Sequence, residues 1–361
     1  MKNLKIGIIG TGVGLRSIIP GFLRTGRAEI VALSGRSRER ALELAGGLQI
    51  GAIVEDYRQV CESDADLIVV ASPTEYHLEH ALAALSTGKN VYLEKPVAGD
   101  SLGARVLRDK VHSSSQLCIV GHQLRVNPYI DATRHRLSDG SIGRPYQLEI
   151  RQAGGGFRDR NRTWTWEFDA KSLGGVRYAM GSHMIDLALY LLGGDVSTVF
   201  SRMDAVHAFR TPEGGAERRT TASVFFMAAL AMGECSSVVS ATAAAHRPFQ
   251  FEYVISGEDG DLVFADEQGF MIRGGDRVPL LDPQAESEYR ERPGSSIFSR
   301  TFTELADGIT NCLLGHAAPD PRWADLASAV PVMEVLDACL ESARLARSVA
   351  LLPSTVGGDL V

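Results

Sequence analysis

Lys5-Ile6-Gly7-Ile8-Ile9-Gly10-Thr11-Gly12-Val13-Gly14 lies near the start of the chain, and its reading decides the fold. Lys5 to Gly10 is a short apolar run of the kind that forms a buried strand, and Leu15 to Leu23 has helical apolar spacing. Between them Thr11-Gly12-Val13-Gly14 predicts a turn, so the segment reads strand, glycine turn, helix. Glycines at 10 and 12 let the backbone turn tightly and approach a pyrophosphate, whose charge the helix N-terminus stabilises. The third fingerprint position holds Leu15 where Gly or Ala is usual, with Gly14 one residue earlier, so the helix is expected to pack differently there. Gly10, Thr11, Gly12, Val13, Gly14 and Leu15 are the first candidate cofactor-binding residues.

Working outward, Glu29 to Leu33 predicts a second strand ending in Ser34-Gly35-Arg36-Ser37-Arg38. An acidic side chain near this point would hydrogen-bond the adenosine ribose of NAD. Serine and two arginines stand here instead, and guanidinium groups match a ribose phosphate in charge and geometry. NADP(H) is therefore expected in preference to NAD(H), held by Ser34, Gly35 and Arg36. In the alternative reading Ser37 caps a helix from Arg38 to Ala45 and both arginines are solvated.

Asp66 to Ala71 predicts the next buried strand, followed by Ser72-Pro73-Thr74 and a helix from Glu75 to about Leu85, with Thr74 as N-cap. His77, in the first turn of that helix, is placed either to touch the cofactor or to fill a capping or surface role. Gly88-Lys89-Asn90 ends the helix, and Val91-Tyr92-Leu93 predicts the strand that delivers Glu94-Lys95-Pro96 to the crevice at the strand ends, where ligands collect in open α/β sheets. A lysine there can exchange a proton near neutral pH if burial or cationic neighbours lower its pKa, and Glu94 could hold or orient its ammonium. Ser101 to His112 reads as a helix and Leu117 to Gly121 as a strand, and the alternation through residue 121 predicts a doubly wound parallel sheet.

These segments, in order and spacing, resemble the Gfo/Idh/MocA oxidoreductases over nearly the whole chain. The likeness rests on Gly10-Thr11-Gly12, Ser72-Pro73-Thr74 with His77, and Gly88 through Pro96. It continues in Gly121-His122-Gln123-Leu124-Arg125 with Pro128, in Gly174-Gly175, and in Gly181-Ser182-His183-Met184-Ile185-Asp186. The resemblance implies an N-terminal α/β Rossmann domain, taken as residues 1–122. It also implies an α+β C-terminal domain, residues 123–361, with a large, mostly antiparallel open sheet whose outer face often forms oligomer contacts. It implies hydride transfer on sugars, cyclitols or related alcohols, with Lys95 and His183 as catalytic pair. Ala71, Ser72, Pro73, Thr74, His77, Glu94, Lys95 and Gln123 would join the cofactor site. Arg125, Trp166, Asp186, Lys95 and His183 would face the substrate. Imidazole titrates near neutrality and suits either proton transfer or substrate binding, and Asp186, one helical turn on, could orient His183. One departure stands out: many members place an aspartate four residues before this histidine, and here that position is Ala179. This puts the usual polyol substrates in question more than the fold.

In the second half, Arg144 to Arg151, Val199 to Ala208, Ala222 to Met227, Met232 to Thr242, Phe249 to Ser256 and Gly260 to Ala265 are strand candidates, with one helix near His183. Arg210 to Arg219 reads as a hairpin loop, and Trp323 to Arg347 as a last helix followed by a loosely held polar tail. Trp164, Trp166, Phe168 and Asp169 either line a pocket or are core at period-2 spacing. Arg151, Arg158, Arg160 and Arg162 either bind an anionic group or lie in a solvated loop.

A chain of 361 residues suits two domains, and 45% hydrophobic with 22% charged residues describes an ordinary globular protein. The net charge of -7 argues against general affinity for nucleic acid or acidic membranes. Five scattered cysteines form no C-x-x-C pair, so neither a disulfide framework nor a metal site is indicated. No apolar run approaches the roughly 18 residues that span a bilayer. The opening residues lack a signal-peptide pattern, so a cytoplasmic protein is expected. The leading function is an NAD(P)-dependent oxidoreductase of a small molecule, as a homo-dimer or homo-tetramer. A glycosidase using transient oxidation by tightly held NAD, and a non-catalytic nucleotide-binding protein, are the alternatives.

Overall fold

Strand β1 (Leu4–Ile9) is the axis of a six-stranded parallel sheet in the computed structural model, which describes residues 2–159, 161–205 and 209–351. Arg160, the last three residues of the expected 199–208 strand and the tail beyond Leu351 lie outside the described residues. After β1 come α1 (Ile19–Leu23), β2 (Ala28–Ser34), α2 (Arg38–Ala45), β3 (Ile50–Val54), α3 (Tyr57–Cys61), β4 (Leu67–Val70), α4 (His77–Ser86), β5 (Asn90–Leu93), α5 (Ser101–His112) and β6 (Cys118–Val120). The strand order is β3-β2-β1-β4-β5-β6, so the winding reverses between β1 and β4. A crevice for ligands opens at such a reversal. All four residues of β4 are buried, as strands covered on both faces require.

The expected helix from Leu15 to Leu23 is divided. Gly14–Ile18 forms one π-helical turn, and α-helix begins only at Ile19. The wider turn absorbs one residue, which places Gly14 where the fingerprint normally has its third glycine. A Cβ there would stand 3.2 Å from Ile8 Cγ2 and 3.5 Å from Ala71 Cβ, so Gly14 is the close helix-to-strand contact. Leu15, expected at the cofactor, is instead 6% exposed in the core cluster with Ile8, Ile18 and Phe22.

By packing, the chain divides into two units: residues up to Asn127 together with Ser287–Val330, and Pro128–Glu286 together with the residues from Pro331 on. Residues 287–330 thus return to the first unit, although the sequence reading places them in the second domain. The reason is a helix at Ile297–Leu313, opened by a capping box at Ser296 and Ser299. Its Phe302 meets Phe22 and Tyr92 edge-on, with ring centroids 5.8 and 5.7 Å apart. A Cβ on Gly21 would lie 2.3 Å from the Phe302 ring, so only glycine lets that ring seat.

The second unit carries α6 (Pro128–Ser138), β7 (Pro145–Ala153), α7 (Ser182–Leu192), β8 (Val196–Asp204), a short hairpin of β9 (Phe209–Arg210) and β10 (Arg218–Arg219), β11 (Phe225–Met232), β12 (Cys235–Thr242), β13 (Gln250–Gly257), β14 (Asp261–Ala265), β15 (Gln268–Arg273) and β16 (Asp276–Pro279). Helices α8 (Pro283–Glu291), α9 (Ile297–Leu313, above) and α10 (Leu326–Leu345) follow, and β17 (Val349–Ala350) closes the described chain. Nine strands form one sheet in the order β16-β15-β14-β13-β7-β12-β11-β8-β17. Every neighbouring pair is antiparallel except β7 with β12. In β11 and β13 buried and half-buried residues alternate strictly, the mark of a sheet with one covered face. The two candidates at 222–227 and 232–242 are corrected to β11 and β12, joined at Gly233-Glu234. The single helix expected near His183 is joined in this unit by α6, and the hairpin expected around 210–219 is present. Among the described residues no helix is long and apolar enough to cross a membrane.

Candidate active site

Gly10 follows β1 and Ala71 follows β4, so both stand at the reversal point of the sheet. Ile9 faces Ser34 on one side and Val70 on the other. Gly10 has φ +117, and a Cβ on it would lie 2.4 Å from the Ala71 carbonyl oxygen, so no other residue fits. Gly12 faces open space: nothing lies within 4 Å of where its Cβ would be. That open backbone is where a pyrophosphate can approach. Thr11 packs its methyl where Gly35 has no side chain, 2.7 Å from the absent Cβ, which ties the glycine turn to the end of β2. Val13 is exposed.

At the β2 end the arginines separate. Ser37 accepts from Arg40 N and caps α2, Arg38 Nε donates to Ile53 O at 3.1 Å, and Arg38 N donates to Glu55 Oε1 at 3.0 Å. Arg38 is thus engaged in holding β3 against α2, and Ser34 is 3% exposed. Arg36 alone projects free into solvent, with no partner among the described residues. Glu55 was not expected here, since it is distant in sequence from β2.

The loops after β4 and β5 are joined by His77. Its ring is 2% exposed, with Nδ1 2.8 Å from Pro96 O and Nε2 2.7 Å from Ser72 O. Burial pushes its pKa down to about 4, so the ring is neutral near pH 7 and donates its one N–H to one of the two carbonyls. This corrects the view of His77 as a surface residue: the ring is buried and both nitrogens face protein backbone. Thr74 is corrected as well. It begins a 3-10 turn at Thr74–Tyr76, is 4% exposed, and gives no side-chain cap to α4. Ser72 and Pro73 are half-buried and Ala71 is buried.

Glu94 accepts from Tyr92 Oη at 3.0 Å and from the backbone N–H of Lys95 at 3.2 Å. Burial raises its pKa, opposed by the nearby Lys95 charge. Its carboxylate therefore fixes the backbone from which the half-buried Lys95 side chain extends, ahead of a cis Lys95–Pro96 peptide. Gly121 leaves room for this arrangement, because a Cβ there would lie 2.8 Å from Tyr92 Oη. Gln123 and Arg125 lie in the 3-10 turn Gln123–Val126 after β6, and Gln123 Oε1 is buried without a donor among the described residues.

In the second unit His183 and Asp186 sit on α7, 5% and 1% exposed. Ala179 lies in a π-helical turn, Arg177–Gly181, that runs into α7. Trp166 is half-buried in a 3-10 turn, Trp166–Phe168. Trp164 N donates to Thr211 O at 3.1 Å and Arg218 lies over the Trp164 ring, which makes Trp164 part of the loop scaffold. The arginines are likewise engaged. Arg162 pairs with Glu167, Arg158 donates to His246 O, and Arg151 meets Glu252 at 3.4 Å.

A glycine turn open to an anion after β1, Lys95 after β5 and an orphaned amide oxygen after β6 all follow the carboxyl ends of strands in one parallel sheet, where an open α/β sheet collects ligands. The sequence goes further. Residues 4–122 match the model of the oxidoreductase family with an NAD-binding Rossmann fold, and residues 130–263 match the GFO/IDH/MocA C-terminal domain. The chain belongs to the Gfo/Idh/MocA family of oxidoreductases. It is an oxidoreductase of the NAD-binding class. It is 26% identical over 297 residues to levoglucosan dehydrogenase of Pseudarthrobacter phenanthrenivorans, covering 74% of this chain and 75% of the relative. Over 174 residues it is 30% identical to scyllo-inositol 2-dehydrogenase (NAD(+)) of Bacillus subtilis, covering 48% of each. Several further curated relatives are spanned over only about half their length. In fold the chain is similar to levoglucosan dehydrogenase in complex with NADH and L-sorbose, with a TM-score of 0.85 at 21% identity over 97% of this chain and 99% of the other. It is also similar to the WlbA dehydrogenase from Bordetella pertussis in complex with NADH and UDP-GlcNAcA, with a TM-score of 0.79 at 20% identity over 98% and 99%.

Proposed function

We propose that this protein transfers hydride between a nicotinamide dinucleotide and a carbinol carbon of a sugar or cyclitol, with Lys95 moving the hydroxyl proton. The carrying observation is Lys95 itself, at a strand end, its backbone fixed by buried Glu94 and its loop by buried His77. The relatives named for levoglucosan and scyllo-inositol support the substrate class. The residues fit the cofactor: the open backbone at Gly12 would receive the pyrophosphate, and Gln123, whose buried amide oxygen has no donor among the described residues, would help hold the nicotinamide end. When bound, the dinucleotide supplies the hydride acceptor or donor. Lys95 takes the hydroxyl proton during oxidation and returns it during reduction, while its charge stabilises the developing alkoxide. His183 positions the hydroxyl or shares the proton, and Asp186 orients it.

NADP(H) is the favoured cofactor, a preference now resting chiefly on Arg36, because Arg38 is engaged with Ile53. Fluorescence titration should show tighter NADPH than NADH binding that weakens on Arg36→Ala, and equal binding of both by the parent protein would sink the preference. For the chemistry, Lys95→Met keeps side-chain length but removes proton and charge. It should leave cofactor affinity within a few-fold and lower single-turnover hydride transfer by roughly a hundredfold or more. Near-parental turnover in that variant would move the acid/base role to another residue. A homo-oligomer through the second unit's open sheet is part of the same reading.

A further inference from the structure

Two histidines hold Ser72. They stand on α4 three residues apart, about one helical turn, and so project from one side of the helix. His77 Nε2 lies 2.7 Å from the Ser72 carbonyl oxygen, and His80 Nδ1 lies 2.9 Å from the Ser72 hydroxyl. His77 is buried and ties two loops together. His80 is half-buried, and the chemistry proposed for Lys95 leaves it without a role.

The His80 ring is clamped. Tyr57 packs against it with centroids 4.1 Å apart at 43°, and Tyr76 stacks at 5.8 Å and 19°. Tyr57 is itself fixed: its Oη donates to Glu79 Oε1 at 2.6 Å, and the Arg58 guanidinium lies 4.6 Å over its ring. Ser72 in turn stands against the glycine turn, because a Cβ on Gly10 would lie 2.7 Å from Ser72 N. The held imidazole therefore governs a half-buried hydroxyl at the reversal point of the sheet.

A serine hydroxyl has one proton, and its partner decides where that proton points. A neutral imidazole can accept at Nδ1, which draws the Ser72 proton to His80 and leaves oxygen lone pairs facing the crevice. An imidazolium donates from both nitrogens, so Nδ1–H goes to Ser72 Oγ and the serine proton is released to another acceptor. A pyrophosphate oxygen is such an acceptor, and its charge strengthens the hydrogen bond.

We infer that His80 is a positioning residue for the dinucleotide: its protonation turns the Ser72 hydroxyl into a donor to the pyrophosphate and tightens cofactor binding. This inference rests on the cofactor site proposed above. The groups facing the ring are Tyr57 and Arg58 from α3, Tyr76 from the turn before α4, and His77 and Glu79 from α4 itself. Burial holds the His80 pKa below its ordinary value of 6.5, with Glu79 opposing and Arg58 adding to the shift. Tyr57, pushed up to about 12 chiefly by burial, and His77, pushed down to about 4, each keep one protonation state between pH 8 and pH 5. Affinity should therefore rise as pH falls below 6.5.

The probe is NAD+, whose own charge does not change between pH 8 and pH 5. Calorimetric titration at both pH values, with a melt at each to verify the fold, should show binding about fivefold tighter at pH 5 in the parent. His80→Leu should bind at both pH values about as weakly as the parent does at pH 8. His80→Asn places an amide N–H near the Nδ1 position that donates at every pH, and should give the tighter binding at both. Ser72→Ala should lose the pH dependence, and adding His80→Leu to it should cost nothing further. A parent affinity that does not change with pH overturns the inference. A pH dependence that survives His80→Leu overturns it too, and passes the titration to buried Glu94, whose pKa burial raises. If Gly12→Ala weakens NAD+ binding while His80→Leu keeps the parent's ratio between the two pH values, the cofactor site stands and this inference alone falls. If the parent binds neither NAD+ nor NADP+, both fall together.

Discussion

At the scale of single residues, burial sets what each titratable group can do. His77 is neutral in the folded protein because burial pushes its pKa from 6.5 to about 4, with the charges of His80 and Lys95 acting the same way. In the unfolded chain it regains its ordinary value. Between pH 6.5 and 4 the unfolded state binds more protons, so stability falls as pH falls through that window. From pH 7 to pH 5 this one group should remove about 2 kcal/mol. His77→Gln keeps a donor but cannot titrate. In denaturant melts it should be less stable than the parent at pH 7 and lose about 2 kcal/mol less between pH 7 and pH 5. Identical pH slopes for the two proteins would show that His77 is charged in the fold or exposed to water. The role of His77 was not legible in the sequence, since its two partners, Ser72 and Pro96, follow different strands. The Lys95 motif was readable because its strand, turn and neighbours are contiguous.

At the scale of elements, the glycine turn separates three demands that the sequence shows only as three identical letters. Gly10 answers to backbone conformation and a carbonyl 2.4 Å from its absent Cβ, Gly14 to helix packing, and Gly12 to nothing in the protein. Gly10→Ala should therefore lower stability by roughly 2–4 kcal/mol and with it cofactor binding. Gly12→Ala should melt within a degree or two of the parent, yet bind NAD(P)H at least tenfold more weakly, because its methyl enters the approach of the pyrophosphate. Unimpaired cofactor titration of Gly12→Ala would show that the dinucleotide does not pass over this turn. The π-helical turn at Gly14–Ile18 escaped the sequence reading because the apolar residues after it keep helical spacing whether or not one residue is looped out. Strand β3 escaped for a different reason. It is an edge strand, with Gly51 and Ala52 exposed, and lacks the continuous apolar run that marked β1, β4 and β5.

At the scale of the whole molecule, the second sheet leaves a broad surface. Across seven strands its outward register runs Phe200, Ala229, Val238, Glu149, Val254, Val263 and Phe270. Phe200 is 39% and Val238 38% exposed, and Ala229, Val254 and Val263 are half-buried. With strands about 4.8 Å apart the row extends roughly 29 Å, enough for the ~800 Å² per partner of a stable interface. Its one charge, Glu149, accepts from Gln147 Nε2 at 2.7 Å, and Arg151 and Glu252 pair beside it, so a second copy meets satisfied polar groups at the centre. Such a face, largely apolar with small residues on β11 and β12, is the proposed contact between two chains. Val238→Arg tests it, because Val238 projects outward and an arginine there hardly disturbs the folded unit. In an interface related by twofold symmetry the same change forces two bulky guanidinium groups, each beside Glu149, out of water and into an apolar contact, and that desolvation costs several kcal/mol. Light scattering at micromolar concentration should give a dimer or larger for the parent and a monomer for Val238→Arg, with closely similar melting of the remaining fold. A monomeric parent, or an oligomer that survives Val238→Arg unchanged, would place the contact elsewhere or remove it.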